Sequence, residues 1–353
     1  MAEVVDSVWS QRDTTPGAIE AALRGLMVEH TRAHAGTNPA RALNLVSVVD
    51  ARWTGEIANR LRRVGRFAPS RNVVCQVEPG RETLDARASV SGEGGGRERV
   101  TTLRETVVVS VGERHLEHLD TIVDPLVVTD VATVVWSPHG HPEAVDALLA
   151  LTQAVLLDSR DEPDSTDALA RIGRLARDTH VVDLSWLRGM PWRERVAAAF
   201  DPAARRAELA TLDGVTVRHR ADSAVAALLL AGWLAARLGW RVSELSRRGD
   251  GLAGHARSRC GEVALRLEPE PGMTAPGLCA VTLHSASGAA VSLHRGIGGL
   301  EMVRTDRGGR ERAWTVLGAS RGEPGILGEG LRQALLRDGT FAAALDAARG
   351  MAA

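Results

Sequence analysis

Hydrophobic and polar positions alternate at two periods along the chain, and the switches between them outline its elements. From Pro16 onward, Ile19, Ala22, Leu23, Leu26 and Met27 recur at helical spacing. Thr15 is placed to cap the first turn, and Gly36 lies beyond the end. Leu43–Val49 is then an unbroken apolar, β-branched run, the mark of a strand covered on both faces. Ile57, Leu61 and Val64 stripe a helix over Trp53–Arg66, and Arg71–Val77 is a second such run. This order predicts a strand–helix–strand unit with a parallel pair. Between Thr83 and Val111 the period drops to two on both sides of Ser91–Gly96, which predicts a hairpin with a glycine-rich connection.

Further along, the pattern predicts a short helix over Glu113–Thr121, a strand at Val131–Trp136, a helix over Pro142–Gln153, a strand at Ala154–Leu157 and a helix over Asp167–Arg177. Asp158–Ser165 is a polar turn. The Ala/Arg-rich stretch Ala203–Asp213 sets a boundary, giving an N-terminal domain over 1–205 and a C-terminal domain over 206–353. Beyond it come a strand at Val215–His219 and a buried helix capped by Asp222 and reaching Leu238, packed through Val225, Leu228, Leu229 and Trp233. Alternating strands follow Cys260, and a helical segment over Gly325–Ala348 closes the chain. The expected fold is α/β in two domains: an N-terminal mixed or parallel sheet flanked by helices, and a smaller C-terminal α+β domain.

Composition narrows the chemistry. The 353 residues are 44% hydrophobic and 25% charged, enough for two cores. The formal net charge of −1 gives no reason to expect nucleic acid or an anionic membrane as partner. All 43 basic residues are arginine, and tyrosine is absent. A phosphate-loop lysine, a Schiff base and a phenolic acid or base are therefore excluded. The first residues carry acidic groups and no basic-flanked apolar core, so they do not read as a signal peptide. The run Ala224–Ala236 is short for a bilayer span. A cytoplasmic protein is expected. Cys75, Cys260 and Cys279 form no C-x-x-C pair and suit a reducing compartment, although Cys260 and Cys279 are candidates to meet across adjacent strands.

Most chemical motifs have a plainer explanation. Gly92–Gly96, and Gly296 with Gly298 and Gly299, sit between strands, whereas a phosphate cradle needs a helix N-terminus after it. His115 with His118, and His139 with His141, would each offer two zinc ligands without a third nearby. No metal and no cofactor is expected. No G-x-S-x-G elbow occurs. Two segments stand out. Trp136-Ser137-Pro138 and Leu157-Asp158-Ser159-Arg160 end neighbouring strands, at the rim where ligands and partners collect in open sheets. The alternative is a core Trp and a turn held by Asp158 and Ser159. Asp183, Trp186, Trp192 and Arg193 form either an arginine–aromatic partner surface or a helix packed through Trp192, Val196 and Phe200.

The run Asp183-Leu184-Ser185-Trp186, followed by Pro191-Trp192-Arg193-Glu194, resembles the signature of the glucose-6-phosphate dehydrogenase assembly proteins, the OpcA family. Four further pieces fall in the family's order: Ser70–Val74, Leu126–Trp136, Leu157–Arg160 and Gly232-Trp233-Leu234. Leu187–Met190 departs from the family's usual Thr-Arg-Leu-Thr, and no second Trp follows Trp136. The resemblance implies a non-enzymatic effector that binds glucose-6-phosphate dehydrogenase, promotes its active oligomer and raises flux into the oxidative pentose phosphate pathway. It places the contact on Trp136, Asp158, Arg160, Asp183, Trp186, Trp192 and Arg193. The family's cyanobacterial members are implied to respond to redox through cysteines, but the three here match no such motif, so inert thiols are expected. A rival reading is a sugar-phosphate-binding enzyme or sensor, with Arg71, Arg160 and Arg193 as phosphate clamps.

Overall fold

The computed structural model describes residues 4–33, 41–64, 69–93, 102–317 and 322–352. The chain forms two compact units of similar size, one built from 1–157, 175–182 and 323–337, the other from 158–174, 183–322 and 338–353. The expected α/β architecture with two domains is present. The second unit is the smaller one, as expected, but only slightly. Two details differ. The change of unit comes at Leu157, not near residue 205, because the Ala203–Asp213 stretch is a surface connection inside the second unit. The closing helix is also two helices, Gly322–Leu335 and Phe341–Ala352, which belong to different units. Between them Asp338 accepts from the Thr340 backbone N–H (2.8 Å) and hydroxyl (2.7 Å), a side-chain turn that competes with helix continuation.

The first unit is built on strands β1 (Val4–Gln11), β2 (Leu43–Asp50), β3 (Ser70–Val77), β4 (Asp85–Glu93), β5 (Thr102–Val111), β6 (Ala132–Trp136), β7 (Ala154–Leu157) and β8 (His180–Asp183). They lie in the order β1-β4-β5-β3-β2-β6-β7-β8. β5, β3, β2, β6 and β7 are mutually parallel, while β4 runs antiparallel to β5 and β1. The expected strand–helix–strand unit is β2, helix Thr54–Val64 and β3, with Leu43 opposite Ser70. The expected hairpin is β4–β5; its connection, residues 94–101, lies outside the described residues, as does Gly36. Thr15 caps helix Pro16–Ala33 by accepting from the Ala18 N–H (3.3 Å). β1 was not anticipated.

Central β2 is buried through Val49, polar residues included. Asn44 tolerates this because its amide donates to the Val128 carbonyl (2.9 Å) and its oxygen accepts from the Val128 N–H (3.0 Å). Both ends of the amide are thereby satisfied, and burial costs little.

The second unit carries β9 (Leu212–His219), β10 (Arg241–Val242), β11 (Ser246–Arg248), β12 (Gly251–Arg257), β13 (Glu262–Pro269), β14 (Leu278–Ser285), β15 (Ala290–Gly296), β16 (Gly299–Thr305) and β17 (Glu311–Leu317). Their order is β10-β12-β13-β9-β14-β15-β16-β17, with β11 on β12. Only β9 and β13 pair in parallel. Helix Ala224–Leu238 buries Val225, Leu228 and Leu229, while Trp233 is half-buried. Residues 221–238 are apolar enough for a candidate membrane span, with mean hydropathy 1.4. Yet 56% of that window is buried within the fold, as expected of a core helix. It packs on helix Phe341–Ala352 so closely that a Cβ at Gly232 would stand 2.3 Å from the Ala344 carbonyl oxygen, so only glycine fits. Asp222 does not cap this helix; Ser223 holds the cap position, and the Asp222 carboxylate is taken by the Arg220 guanidinium (Nε–Oδ1 2.6 Å).

Candidate functional site

The signature segment begins where β8 ends. Asp183, fully buried, caps the short helix Leu184–Arg188 by accepting from the Ser185 N–H (3.0 Å). The same carboxylate accepts from the backbone N–H (3.0 Å) and hydroxyl (2.8 Å) of Ser159, pinning the turn after Asp158 to the new helix. Burial raises the Asp183 pKa to about 6, and the nearby Asp158 charge adds to the rise, while the Ser159 and Ser185 hydrogen bonds oppose it.

Asp158 sits beside it with the opposite bias. It accepts from the Ser185 hydroxyl (2.7 Å) and from both outer nitrogens of Arg188 (2.9 and 2.7 Å). Burial works against its charge, but the Arg188 guanidinium outweighs that penalty and the carboxyl is held below the usual range. Arg160 lies farther off, with Nη2 3.6 Å from the Asp158 carboxylate. The two carboxyls have their pKa values pushed apart: one is a firm anion, the other poised near neutrality.

The second half of the signature makes a stack. The Arg193 guanidinium lies over the Trp186 ring, 3.3 Å from its centroid, and donates to the Trp186 carbonyl (2.8 Å). Trp186 Nε1–H donates to Asp338 (2.8 Å), and its ring meets Phe341 at 5.2 Å in a tilted pair. Burial lowers the Arg193 pKa to about 10, against the pull of Asp338, so it stays protonated at neutral pH. The ring, the indole N–H and the guanidinium of the stack each have a partner, and the stack gains cation–π attraction in a dry setting.

The resemblance placed the contact surface on these side chains, and their burial corrects that expectation as far as exposure goes. Trp186 is 3% exposed, Trp192 4%, Arg193 8%, Asp158 9%, and Asp183 is not exposed. The physical reason is that ring and guanidinium satisfy each other and Asp338, so neither requires solvent. Trp136 is 1% exposed at the end of β6, opposite Ser47 of β2 and Leu156 of β7, inside the first unit's core. The structure brings Asp158, Arg160, Asp183, Trp186, Trp192 and Arg193 together in the second unit; Trp136 belongs to the first. Asp338, Arg188 and Arg295 were missed. Arg188 lay inside the stretch that departs from the family, and no local pattern links Asp338 or Arg295 to the signature.

Above this cluster is a narrow cleft of about 380 Å³, its open mouth included. Arg160, Ser185, Arg188, Gly189 and Trp192 form one side, and Ser223, Ala226, Pro276, Gly277, Leu278 and Arg295 the other. Gly277 has φ of +93° and donates its N–H to the Ser223 hydroxyl (3.0 Å), which ties the 276–278 loop to the start of the buried helix.

The other candidates resolve differently. Arg71 is spent on Glu105 (2.7 Å) and the Leu126 carbonyl (3.1 Å), and Arg193 on Trp186, so neither acts as a phosphate clamp. His139 and His141 do converge, around Asp50: His141 Nε2 is 2.8 Å from its carboxylate, and His139 Nδ1 accepts its backbone N–H (3.2 Å). His115 Nδ1 accepts from the Gly112 N–H (2.9 Å). Among the described residues no group of three or more His, Cys, Asp or Glu side chains could hold a metal ion. Cys260 and Cys279 do not pair. β9 and β15 are the neighbours of the strand carrying Cys279, and Cys260 lies in the β12–β13 turn. Cys75 is fully buried, and burial pushes its thiol up to about 12, where it is inert.

Comparison with known proteins gives an ordered pair of matches. Residues 61–174 match the family model described as glucose-6-phosphate dehydrogenase subunit N-terminal domain, and residues 179–345 the corresponding C-terminal domain. OxPP cycle protein OpcA of Synechococcus elongatus is 29% identical over 141 residues, 39% of this chain and 32% of that protein. The protein of the same name from Nostoc punctiforme is 30% identical over 151 residues, 41% of this chain and 32% of the other. The chain thus spans about a third of the length of the curated relatives it matches. Among solved structures, apo scyllo-inositol dehydrogenase from Lactobacillus casei aligns over 88% of this chain and 94% of its own at 9% identity, with a TM-score of 0.42, too loose a likeness to bear on function.

Proposed function

Because the chain belongs to the OpcA family of glucose-6-phosphate dehydrogenase assembly proteins, with a role in the oxidative pentose phosphate pathway, we propose that it binds glucose-6-phosphate dehydrogenase and favours that enzyme's active oligomer, without catalysing a reaction of its own. The observation that carries this reading is the pair of family matches running in order from residue 61 to 345. Physically, an effector raises activity only by binding the active state of its partner more tightly than the inactive one. A tenfold preference corresponds to about 1.4 kcal/mol, which a few well-placed contacts supply.

In this reading the signature acts from beneath the surface. Asp183, Asp158 and the Trp186–Arg193 stack fix the backbone of 158–161 and 183–193, and Arg160, the most exposed of the group, presents charge to the partner. The direct test is NADP+ reduction by the cognate dehydrogenase at fixed enzyme, titrated with this protein, beside a control without the dehydrogenase. The reading expects a saturable rise and a silent control. No rise at a tenfold excess, or turnover in the control, overturns it. A scaffold that bound without altering rate would appear as co-elution with unchanged kcat and KM.

A further inference from the structure

We propose that the arginine-lined cleft of the second unit is a binding site for a small phosphate-bearing anion. Three guanidinium groups, from Arg160, Arg188 and Arg295, line it, and no acidic residue does. They arrive from three separate pieces of chain: the turn after β7, the helix Leu184–Arg188, and β15. Convergence of like charges is unfavourable unless something of opposite sign sits among them.

Only part of that charge is answered by protein. Arg188 is held on Asp158 behind the wall. Arg160 reaches the same carboxylate at 3.6 Å and keeps 28% of its side chain exposed. Among the described residues Arg295 has no carboxylate partner: its Nε donates to the Leu278 carbonyl (2.6 Å) and its Nη2 to the Pro276 carbonyl (2.9 Å). Those two bonds hold an exposed guanidinium along the 276–278 loop at the edge of the cleft, with no carboxylate on it. Asp161 acts on Arg160 and Arg188, and Asp222 on Arg160, from outside the lining.

The chemistry follows from the donors. Planar, permanently charged guanidinium groups bind phosphate oxygens in a forked geometry that no neutral ligand exploits. Ser185 and Ser223 add hydroxyls at the wall, although both are engaged with Asp158 and Asp222. The cleft is too narrow to enclose a phosphate group, so the anion sits at its mouth, against the guanidinium groups, with the remainder of an ester in solvent. Arg188, whose outer nitrogens are both held by Asp158, adds positive charge at the wall and not a free fork. The inference shares Arg160 with the partner-binding reading, but its test uses the isolated protein, so either can fail without the other.

The test is calorimetric titration of the isolated full chain with inorganic phosphate and with glucose 6-phosphate, using glucose as the uncharged control. Saturable binding of either phosphate, silence with glucose, and at least tenfold weaker binding in both Arg160→Gln and Arg295→Gln are expected. Tighter binding of the monoester than of phosphate identifies an esterified ligand; the reverse identifies free phosphate. Arg295→Gln removes two loop bonds and is checked for folding by its melting curve; Arg160→Gln is on the surface and keeps the test decisive. Absence of saturable binding with both probes, or wild-type affinity in Arg160→Gln, overturns the proposal.

Discussion

Each unit of the protein sets one buried carboxylate between two arginines, and the two arrangements differ in a single distance. In the first unit Glu105, 2% exposed, is gripped by Arg41 at 2.6 Å and Arg71 at 2.7 Å. In the second, Asp158, also buried, is gripped by Arg188 at 2.7 Å while Arg160 stands off at 3.6 Å. The first is a closed lock: both cations are consumed and the cluster fastens β3 to β5. The second is open on one side, and the loosely held arginine faces a cleft. A carboxylate between two arginines is therefore structural when both contacts are short, and one long contact marks the cation available to something else. Composition cannot distinguish the two cases.

The sharpest way to break the comparison is to remove the locking carboxylate. Glu105→Ala leaves Arg41 and Arg71 facing each other with no counter-charge, and a loss of about 3 kcal/mol is expected, read as a lower urea midpoint with unchanged m. Next is the stack. Arg193→Gln removes the cation over Trp186 and a buried hydrogen bond, with an expected cost of about 2 kcal/mol. Near-wild-type stability would mean that the guanidinium does not hold the signature in place.

A subtler effect is in the pH dependence. Asp183 has its pKa raised in the fold to about 6, so the native state holds its proton where the unfolded chain has lost it. Its favourable contribution is complete below about pH 4 and disappears as pH rises through about 6, a span of about 2–3 kcal/mol. Asp158 has the reverse sign: its pKa is lowered, so its contribution is present above the ordinary carboxylate range and is lost as pH falls through its folded value. Asp183→Asn removes the first effect and, by taking away a neighbouring negative charge, also relieves Asp158 and Asp161. Relative to wild type, this variant should gain stability between pH 4 and 7, and parallel profiles would show that Asp183 does not titrate in that window. The smallest effect on stability is expected from Arg160→Gln, within about 0.5 kcal/mol, because a partly exposed, loosely paired arginine contributes little.

Much of the framework was legible before the structure, and the reason is local. β2, β3 and β7 are apolar runs bounded by turns, and the β4–β5 hairpin alternates on both sides of its glycines; such patterns need no knowledge of the rest of the chain. What failed depended on distant partners. Trp186 and Arg193 looked like a surface pair because sequence shows an aromatic and a cation, but not the Asp338 carboxylate that meets the indole from across the unit. Asp222 matched the residue type of a helix cap, and Arg220 captured it. The last helix read as continuous because Asp338-Gly339-Thr340 is a short interruption whose side-chain turn competes with helix only weakly on paper. The change of unit at Leu157 was missed because the chain crosses between units several times, whereas composition registers only single boundaries.

The central claim is that this protein and glucose-6-phosphate dehydrogenase form one assembly in which the enzyme's oligomer is shifted. Sedimentation velocity of the cognate dehydrogenase, alone and with a tenfold excess of this protein, tests that most directly. The account predicts loss of the smaller dehydrogenase species and growth of a faster boundary containing both chains. Two species sedimenting independently, with the dehydrogenase distribution unchanged, would contradict it.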